Sequence, residues 1–205
     1  MAPEIVAGVD EVGRGALFGP VVAAAVVMPE NAAAELADLG VTDSKLLSPR
    51  QRDRLVGQIH RLAIDCQIGM ASVREIDRLN ILQASLLAMR RAIARLTPQP
   101  TLCLVDGNQR ISGLIIPQQT IVKGDQTCLA IAAASIIAKV WRDRLIVRLA
   151  ARYPVYDLAT NKGYGTAVHR HAIQKHGCTS QHRLSFKPCQ LEPFSINPSS
   201  LTSNL

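Results

Sequence analysis

Five short apolar runs along the chain have the length of strands. They are IVAGVD (5–10), PVVAAAVVM (20–28), DCQIGMASV (65–73), TLCLVDGN (101–108) and QQTIVKGD (118–125). Glycine and proline lie between the first two runs, and they also flank the fourth, as is typical of strands joined by loops. This pattern predicts a five-stranded sheet.

Helical periodicity fills the gaps between these runs. A Ser-Pro start signal at 48–49 opens one helix, and apolar residues recur at helical spacing across 73–96. An alanine-rich helical pattern runs from 125 to about 152, and a shorter helix is predicted over 166–176. Strands that come first and then alternate with helices predict an α/β fold with a mixed sheet.

The length of 205 residues is that of one large domain or of a domain with an appendage. Residues 188–205 are rich in Pro, Ser and Asn, so we expect the domain to occupy 1–187 and a flexible tail to follow. Five widely spaced cysteines without a CxxC pair are typical of reduced thiols in a cytoplasmic protein. We expect no signal peptide, no membrane segment and a monomer.

The positive charge of the chain is concentrated in one segment. The net charge is +7, and residues 139–187 alone hold ten Lys or Arg and two Asp. A nearly neutral body with one basic segment indicates a polyanionic partner such as nucleic acid. A solvated basic surface is the alternative interpretation.

Acidic residues stand at the ends of three predicted strands: Asp10 with Glu11, then Asp106, then Asp125. If the first and fourth strands are parallel neighbours, their carboxyl ends meet at the crevice where α/β sheets bind ligands. Carboxylates placed together repel one another unless they are protonated or bind metal. Hard oxygen donors favour Mg²⁺ or Mn²⁺, and two such ions can support a phosphodiester displacement.

Each of these acids also has a structural interpretation. Asp125 could cap the helix that follows it, Asp106 with Gly107 could form a turn, and the Asp10-Glu11 pair could be a solvated loop edge. Each structural interpretation is stronger for a single residue. The recurrence of acids at three strand ends, beside a basic segment, favours a shared site.

The motifs of the chain resemble those of type 2 ribonucleases H, and of the bacterial members most closely. They occur in the family order: GVDEVGRG (8–15), TDSKLLS (42–48), VDGN (105–108), VKGD (122–125), AAASIIAKVWRD (132–143), NKGYGT (161–166) and HRLSF (182–186). The resemblance covers about residues 5–187. It implies a ribonuclease H-like mixed five-stranded sheet flanked by helices, with a helical C-terminal part.

The resemblance also implies an activity and its catalytic residues. The activity is endonucleolytic cleavage of RNA in RNA–DNA hybrids, including single ribonucleotides embedded in duplex DNA, leaving 5′-phosphate and 3′-hydroxyl ends. The implied catalytic and metal-binding set is Asp10, Glu11, Asp106 and Asp125, with two Mn²⁺ or Mg²⁺ ions.

Several substrate-binding residues are likewise implied by the resemblance. Gly13, Arg14 and Gly15 resemble the ribose-sensing loop of the family, and Tyr164 resembles the tyrosine that packs on the neighbouring sugar. Thr42, Ser44 and Lys45 resemble family positions that contact the backbone phosphates. The basic segment, rather than the resemblance, supplies the other expected phosphate contacts, which are some of Lys139, Arg142, His169, His171, Lys175, His182 and Arg183. Of these, Lys139, His182 and Arg183 are the expected substrate-binding residues. An ion pair between Lys139 and Asp143, four residues apart on one helix, is the alternative for Lys139.

Three other interpretations compete with this one. The stretch GRGALFG (13–19) resembles a dinucleotide-binding fingerprint, but Phe18 occupies the third glycine position. The His and Cys residues of 169–182 do not have the spacing of a zinc finger. A non-catalytic nucleic-acid-binding module would explain the charge but not the acids.

A protein partner is also considered. A sliding clamp could bind the segment QLEPF (190–194), which has an isolated Leu and Phe.

Overall fold

The computed structural model describes residues 4–29 and 32–190, and these contain one five-stranded sheet. The strands are β1 (Val6–Val12), β2 (Val21–Met28), β3 (Asp65–Ala71), β4 (Leu102–Asp106) and β5 (Gln118–Ile121), in the spatial order β3-β2-β1-β4-β5. Strand β2 is antiparallel to both of its neighbours, whereas β1, β4 and β5 run parallel. The mixed five-stranded sheet expected from the sequence is confirmed.

The register of the parallel strands places their acidic ends side by side. Val9 of β1 is paired with Val105 of β4. The residues that follow this pair are Asp10 and Asp106. The expected parallel pairing of the first and fourth strands is therefore confirmed, and it brings two of the strand-end acids to one edge of the sheet.

Eight α-helices connect and cover the described part of the sheet. They are α1 (Ala32–Asp38), α2 (Pro49–Leu62), α3 (Val73–Leu79), α4 (Ile81–Ile93), α5 (Gly124–Thr127), α6 (Leu129–Ala150), α7 (Leu158–Asn161) and α8 (Ala167–His176). Short 3₁₀ turns cover Pro154–Tyr156 and Lys187–Cys189. Helices α1 and α7 were not expected from the sequence pattern.

Two helices expected to be continuous are each divided in two. Asn80 interrupts the helix expected over 73–96, because it adopts φ 73° and its side chain accepts a hydrogen bond from the Gln83 backbone at 3.1 Å. Cys128 interrupts the helix expected over 125–152 with an extended backbone (φ −130°, ψ 114°). Asp125 therefore lies inside the separate one-turn helix α5, which precedes the long helix α6.

The core has three parts, two of which cover the faces of the sheet. Helix α4 packs on the face that includes Ala7, Val9 and Val105. Helices α2 and α6 pack on the opposite face. The third cluster joins the loop residue Phe18 to α6, α7 and α8, and forms the helical C-terminal part.

The first turns of α6 lie directly on β1. A Cβ built on Gly8 would lie 2.1 Å from the backbone carbon of Ala130, much closer than two carbon atoms can approach. The buried residues of α6 that follow include the small residues Ala132, Ala133, Ala134 and Ser135. Because Gly8 carries no side chain at the contact, the helix backbone comes close enough to the strand to present its next turns at the acidic sheet edge.

The described chain ends just beyond the domain boundary expected at residue 187. Cys189 is buried in the third cluster. Residues 191–205, which make up most of the expected tail, lie outside the described residues. No helix within 4–29 and 32–190 is both long and apolar enough to cross a bilayer.

We predict that Gly8→Ala destabilises the protein by about 2 to 3 kcal/mol, because the added methyl group overpacks a close helix–strand contact. The measurement is urea unfolding followed by circular dichroism. The matched control is Gly57→Ala on α2, where a Cβ would meet nothing within 4 Å; it should stabilise the helix by about 0.5 to 1 kcal/mol. Equal stabilities for the two variants would contradict the close packing.

Candidate active site

A cleft of about 380 Å³ opens at the carboxyl ends of β1 and β4. It is lined by Asp10, Glu11, Val12, Gly13, Arg14, Ser44, Lys45, Asp106, Ser135, Lys139 and Tyr164. Larger cavities of about 490 and 540 Å³ lie elsewhere. The convergence of carboxylates and basic side chains, not size, identifies this cleft as the candidate site.

Asp10 and Glu11 are buried beside one another and beside Asp106, and the pKa of each of the first two is raised. Burial raises the pKa of Asp10 well above its ordinary value, and the charges of Glu11 and Asp106 raise it further. Burial and Asp106 also raise the pKa of Glu11, against the opposing Arg14 guanidinium, which lies 3.1 Å from Glu11 Oε1. This is the electrostatic signature of a site that favours added positive charge.

Hydrogen bonds fix these carboxylates to the backbone around them. The Glu11 backbone N–H donates to Asp10 Oδ1 at 2.7 Å. The Gly124 backbone N–H donates to Asp106 Oδ1 at 2.7 Å, which joins the end of β4 to the start of α5. The residue after Gly124 is Asp125, so this bond also determines where the fourth predicted carboxylate stands.

Asp125 is connected to the cleft through an ammonium group. Lys45 Nζ lies 2.9 Å from Asp125 Oδ2 and 3.8 Å from Asp43 Oδ1. The hydrogen bond to Asp125 raises the pKa of Lys45, burial opposes this, and the charges of Asp125, Asp43 and Asp10 add to the increase. One lysine cation is therefore placed among three acids.

Asp43 and Ser135 belong to the site but were missed in the sequence. Asp43 is buried and accepts hydrogen bonds from the Lys45 backbone N–H at 2.9 Å and from Gln126 Nε2 at 3.3 Å. The Ser135 hydroxyl shares a 2.9 Å hydrogen bond with Ser44 and lowers the pKa of Asp10. Two features of the sequence could have indicated them. Asp43 is the acid inside TDSKLLS (42–48), and Ser135 is the lone polar residue of the run 130–138.

The carboxylates fit a divalent cation by their chemistry, although they are not gathered around one point. Within residues 4–29 and 32–190, no three His, Cys, Asp or Glu side chains are placed to hold one metal ion. Asp106 is turned to Gly124, and Asp125 is turned to Lys45. The donors are nevertheless hard carboxylate oxygens, the ligands that Mg²⁺ and Mn²⁺ prefer. The crowded negative charge around Asp10 and Glu11, together with the Lys45 ammonium group beside Asp125, indicates a site that favours a cation.

The two glycines of the loop after β1 have different constraints. Gly13 adopts φ +89°, and a Cβ there would lie 2.1 Å from Arg142 Nε. A Cβ on the exposed Gly15 would meet nothing within 4 Å. Gly13 is thus required by the protein itself, whereas the space beside Gly15 is open to a bound molecule.

Arg142 connects this loop to the one that carries Tyr164. Its fully buried guanidinium donates to the carbonyls of Phe18 (3.0 Å), Pro20 (3.1 Å) and Lys162 (2.9 Å). Burial lowers the pKa of Arg142. A buried charge is tolerated only when it is fully hydrogen-bonded, so these carbonyls and the arginine hold one another in place.

Tyr164 lies half-buried in the cleft beside two cations. Lys139 Nζ is 5.5 Å and Arg142 Cζ is 5.4 Å from the centroid of its ring. Lys139 also forms a 3.0 Å ion pair with Asp143, so the alternative considered for this lysine is confirmed. It still lines the cleft together with Tyr164.

The expected phosphate contacts of His182 and Arg183 must be corrected, because both side chains are buried. Arg183 is fully buried and donates to the carbonyls of Gly19 (2.9 Å) and Arg14 (2.8 Å). Burial lowers its pKa to about 9. His182 is 1% exposed and lies within hydrogen-bond distance of His169. Both residues support the loops of the cleft from behind.

We predict that stability falls as the pH decreases from 6.5 to 4 because His182 must become charged. Burial and neighbouring His169 lower its pKa from 6.5 to about 4, so the unfolded chain binds the proton first. Unfolding titrations across this range should show a decrease that is smaller in His182→Gln by on the order of 2 kcal/mol. His60→Gln, at an exposed position on α2, should behave like the parent; an unchanged slope in His182→Gln would contradict the prediction.

The chain is similar to known proteins in both sequence and fold. A family model described as Ribonuclease HII matches residues 7–189. The Ribonuclease HII of Trichodesmium erythraeum (strain IMS101) is 66% identical over 190 residues, covering 93% of this chain and 90% of that protein.

Two archaeal structures share the fold. Ribonuclease H2 from Pyrococcus horikoshii OT3 superposes with a TM-score of 0.76 at 28% identity, covering 91% of this chain and 95% of that one. A chain from the PCNA:RNase HII complex of Archaeoglobus fulgidus gives 0.75 at 27% identity, covering 95% of this chain and 99% of that one.

Proposed function

The chain belongs to the ribonuclease HII family and is thus a ribonuclease H acting on RNA–DNA hybrids, and we propose that it also cleaves at single ribonucleotides embedded in duplex DNA. The observation that carries the proposal is the composition of one cleft. Asp10, Glu11 and Asp106 share it with Tyr164 and with the open glycine loop. A carboxylate centre for phosphodiester hydrolysis thereby lies beside groups suited to examine a sugar.

The proposed catalytic state holds two divalent cations, Mg²⁺ or Mn²⁺, with Asp10, Glu11, Asp106 and Asp125 as their protein ligands. Bound ions of this kind activate water and stabilise the attacking and leaving oxygens of a phosphodiester, which yields a 5′-phosphate and a 3′-hydroxyl. The support for this assignment is the mutual repulsion of Asp10 and Glu11, which added positive charge relieves.

The glycine loop is the proposed reader of the ribose. A 2′-hydroxyl is the group that distinguishes RNA from DNA, and backbone N–H and C=O groups can bond it from both directions. Gly15 has room for such an approach because no protein atom lies within 4 Å of its Cβ position. Tyr164 faces the same cleft and offers a flat ring on which the adjoining sugar can pack.

The cations around the cleft are the proposed contacts to the phosphate backbone. Arg14, Lys45 and Lys139 line it, and the first two are exposed. Contacts of this kind orient a duplex without reading its sequence. They suit an enzyme that must find a ribonucleotide in any sequence context.

Other expected contacts and partners stay predictions. Thr42 is half-buried two residues before Ser44, and Gly15 directly follows Arg14, but neither Thr42 nor Gly15 is among the residues that line the cleft. The archaeal complex pairs its ribonuclease HII with PCNA. The clamp contact expected here at 190–194 falls almost entirely outside the described residues. The expected monomer is likewise untested.

We predict that Asp10→Asn lowers the cleavage rate by about 100-fold or more, because a carboxylate is removed from the centre that organises charge in the transition state. The assay uses a DNA duplex with one ribonucleotide, in Mg²⁺ and in Mn²⁺. Duplex binding should be retained or improved because repulsion of the phosphates falls. Asp53→Asn, at an exposed ion pair with Arg144, is the matched control and should cleave like the parent.

The same experiment tests the non-catalytic alternative. A long RNA–DNA hybrid is the second substrate. If the parent binds both substrates tightly but cleaves neither of them with either ion, the chain is a binding module. If Asp10→Asn cleaves as fast as the parent, the metal-ligand assignment is wrong. Cleavage of long hybrids without cleavage at a single ribonucleotide would overturn only the finer proposal.

We predict that Lys45→Met tightens Mn²⁺ binding by about 5-fold, because the ammonium group competes for Asp125 with an energy of about 1 kcal/mol, as in other exposed pairs. Isothermal titration calorimetry without nucleic acid measures the affinity. Lys175→Met, on α8, is the control and should not change it. Weaker Mn²⁺ binding in Lys45→Met would show that the lysine does not compete with the metal.

A further inference from the structure

We propose that His169 is a positioning residue for Tyr164, and that buried His182 holds it in the tautomer this task requires. The inference rests on the proposed function, since it concerns the tyrosine that faces the substrate. It assigns a role to two histidines that lie behind the cleft and do not line it.

The contact that carries the proposal joins His169 to the backbone of Tyr164. His169 lies in the first turn of α8 and is fully buried. Its Nδ1 is 2.9 Å from the Tyr164 carbonyl oxygen. The position of α8 is itself fixed by Thr166, whose side chain accepts from the His169 backbone N–H at 3.2 Å. The ring therefore connects a rigid helix to the loop that carries the tyrosine.

The protons of the histidine pair can be assigned by starting from a group that can only donate. The Thr179 backbone N–H donates to His182 Nδ1 at 3.0 Å, so this nitrogen has no proton in the neutral ring. His182 then carries its proton on Nε2, which is 3.1 Å from His169 Nε2. His169 Nε2 must accept, so the His169 proton is on Nδ1 and is donated to Tyr164.

Burial keeps both rings neutral, which this chain of donors and acceptors needs. A charged His182 would carry protons on both nitrogens and would lose its bond from Thr179. Burial lowers the pKa of both rings, to about 4 for His182. Edge-on packing against Phe18, 5.1 Å away between centroids, further restricts the His182 ring.

The other contacts of the tyrosine loop hold its neighbouring residues but do not tie the Tyr164 carbonyl to another element. Asn161 accepts from the Gly163 N–H at 2.8 Å, Arg142 holds the Lys162 carbonyl at 2.9 Å, and the Gly163 carbonyl accepts from the Leu17 N–H at 2.8 Å. Among the described residues, the Tyr164 carbonyl otherwise accepts only a local bond, from the Thr166 N–H at 2.9 Å. Among these contacts, His169 alone fixes the Tyr164 carbonyl from outside the loop. A displacement of about 1 Å at a substrate-positioning group can cost 100-fold in rate.

The test compares two amides at position 169. In His169→Asn the amide nitrogen stands near the place of Nδ1 and can still donate to Tyr164. In His169→Gln the amide stands near the place of Nε2, so the contact to His182 is kept and the one to Tyr164 is lost. Each variant removes one of the two ring hydrogen bonds, so similar losses of Tm are expected.

The expected result is a difference in cleavage at a single ribonucleotide in duplex DNA. His169→Gln should lower kcat about 10-fold, with a smaller change in KM, whereas His169→Asn should stay within about 3-fold of the parent. Equal rates for the two variants, or the reverse order, would overturn the proposal.

A double-mutant cycle separates positioning from general stability. If His169 acts through Tyr164, then His169→Gln should have no further effect on kcat in a Tyr164→Ala background. A full and additive loss in that background would show that the histidine acts by another route, and the proposal would be wrong.

A measurement without substrate keeps the inference separable from the proposed function. Long-range ¹H–¹⁵N spectra of the parent should show the Nδ1–H tautomer for His169 and the Nε2–H tautomer for His182. The reverse tautomers, or a charged pair at pH 7, would overturn the proposal even in an active enzyme. Correct tautomers in a protein that cleaves nothing would instead reject the proposed function alone.

Discussion

The close contact between α6 and β1 is the constraint on which the rest of the structure depends. Gly8 supplies no side chain, and the backbone at Ala130 occupies the space that a Cβ would need. One and a half turns further along α6, Ser135 reaches the Asp10 carboxyl group, and Lys139 and Arg142 follow on later turns. A wider spacing between helix and strand would separate the acids at the sheet edge from the groups that surround them.

Negative charge is concentrated in the cleft, whereas two positive charges are buried behind the loops that surround it. The cleft gathers carboxylates, and burial together with the repulsion between them raises the pKa values of Asp10 and Glu11. Behind the loops, Arg142 and Arg183 are buried cations whose hydrogen bonds go to backbone carbonyls. The protein thus uses neutral oxygen atoms as partners for its structural cations and places its crowded carboxylates in the cleft.

Much of the fold and the meeting of the strand-end acids could be predicted from the sequence, because both are recorded in local patterns. Strand-end acids and parallel pairing together determine where Asp10 and Asp106 meet. The helix break at Asn80 could not be predicted in this way, since apolar periodicity continues through it and only the positive φ interrupts it. The burial of individual basic residues could not be predicted either. His182 and Arg183 belong to a basic segment, yet tertiary packing places both behind the cleft.

In the loop after β1, two glycines that are two residues apart have different functions: Gly13 is needed for packing, and Gly15 is available for contact with a substrate. Gly13 cannot be substituted without a clash, because the Arg142 guanidinium lies against it. A side chain at this position would disturb the scaffold even in the absence of substrate. Gly15 has no such neighbour, and a methyl group there would project into free space. Under the proposed reading of the ribose, a substitution at Gly15 would therefore alter the preference for one sugar over another while the architecture around Gly13 is left intact.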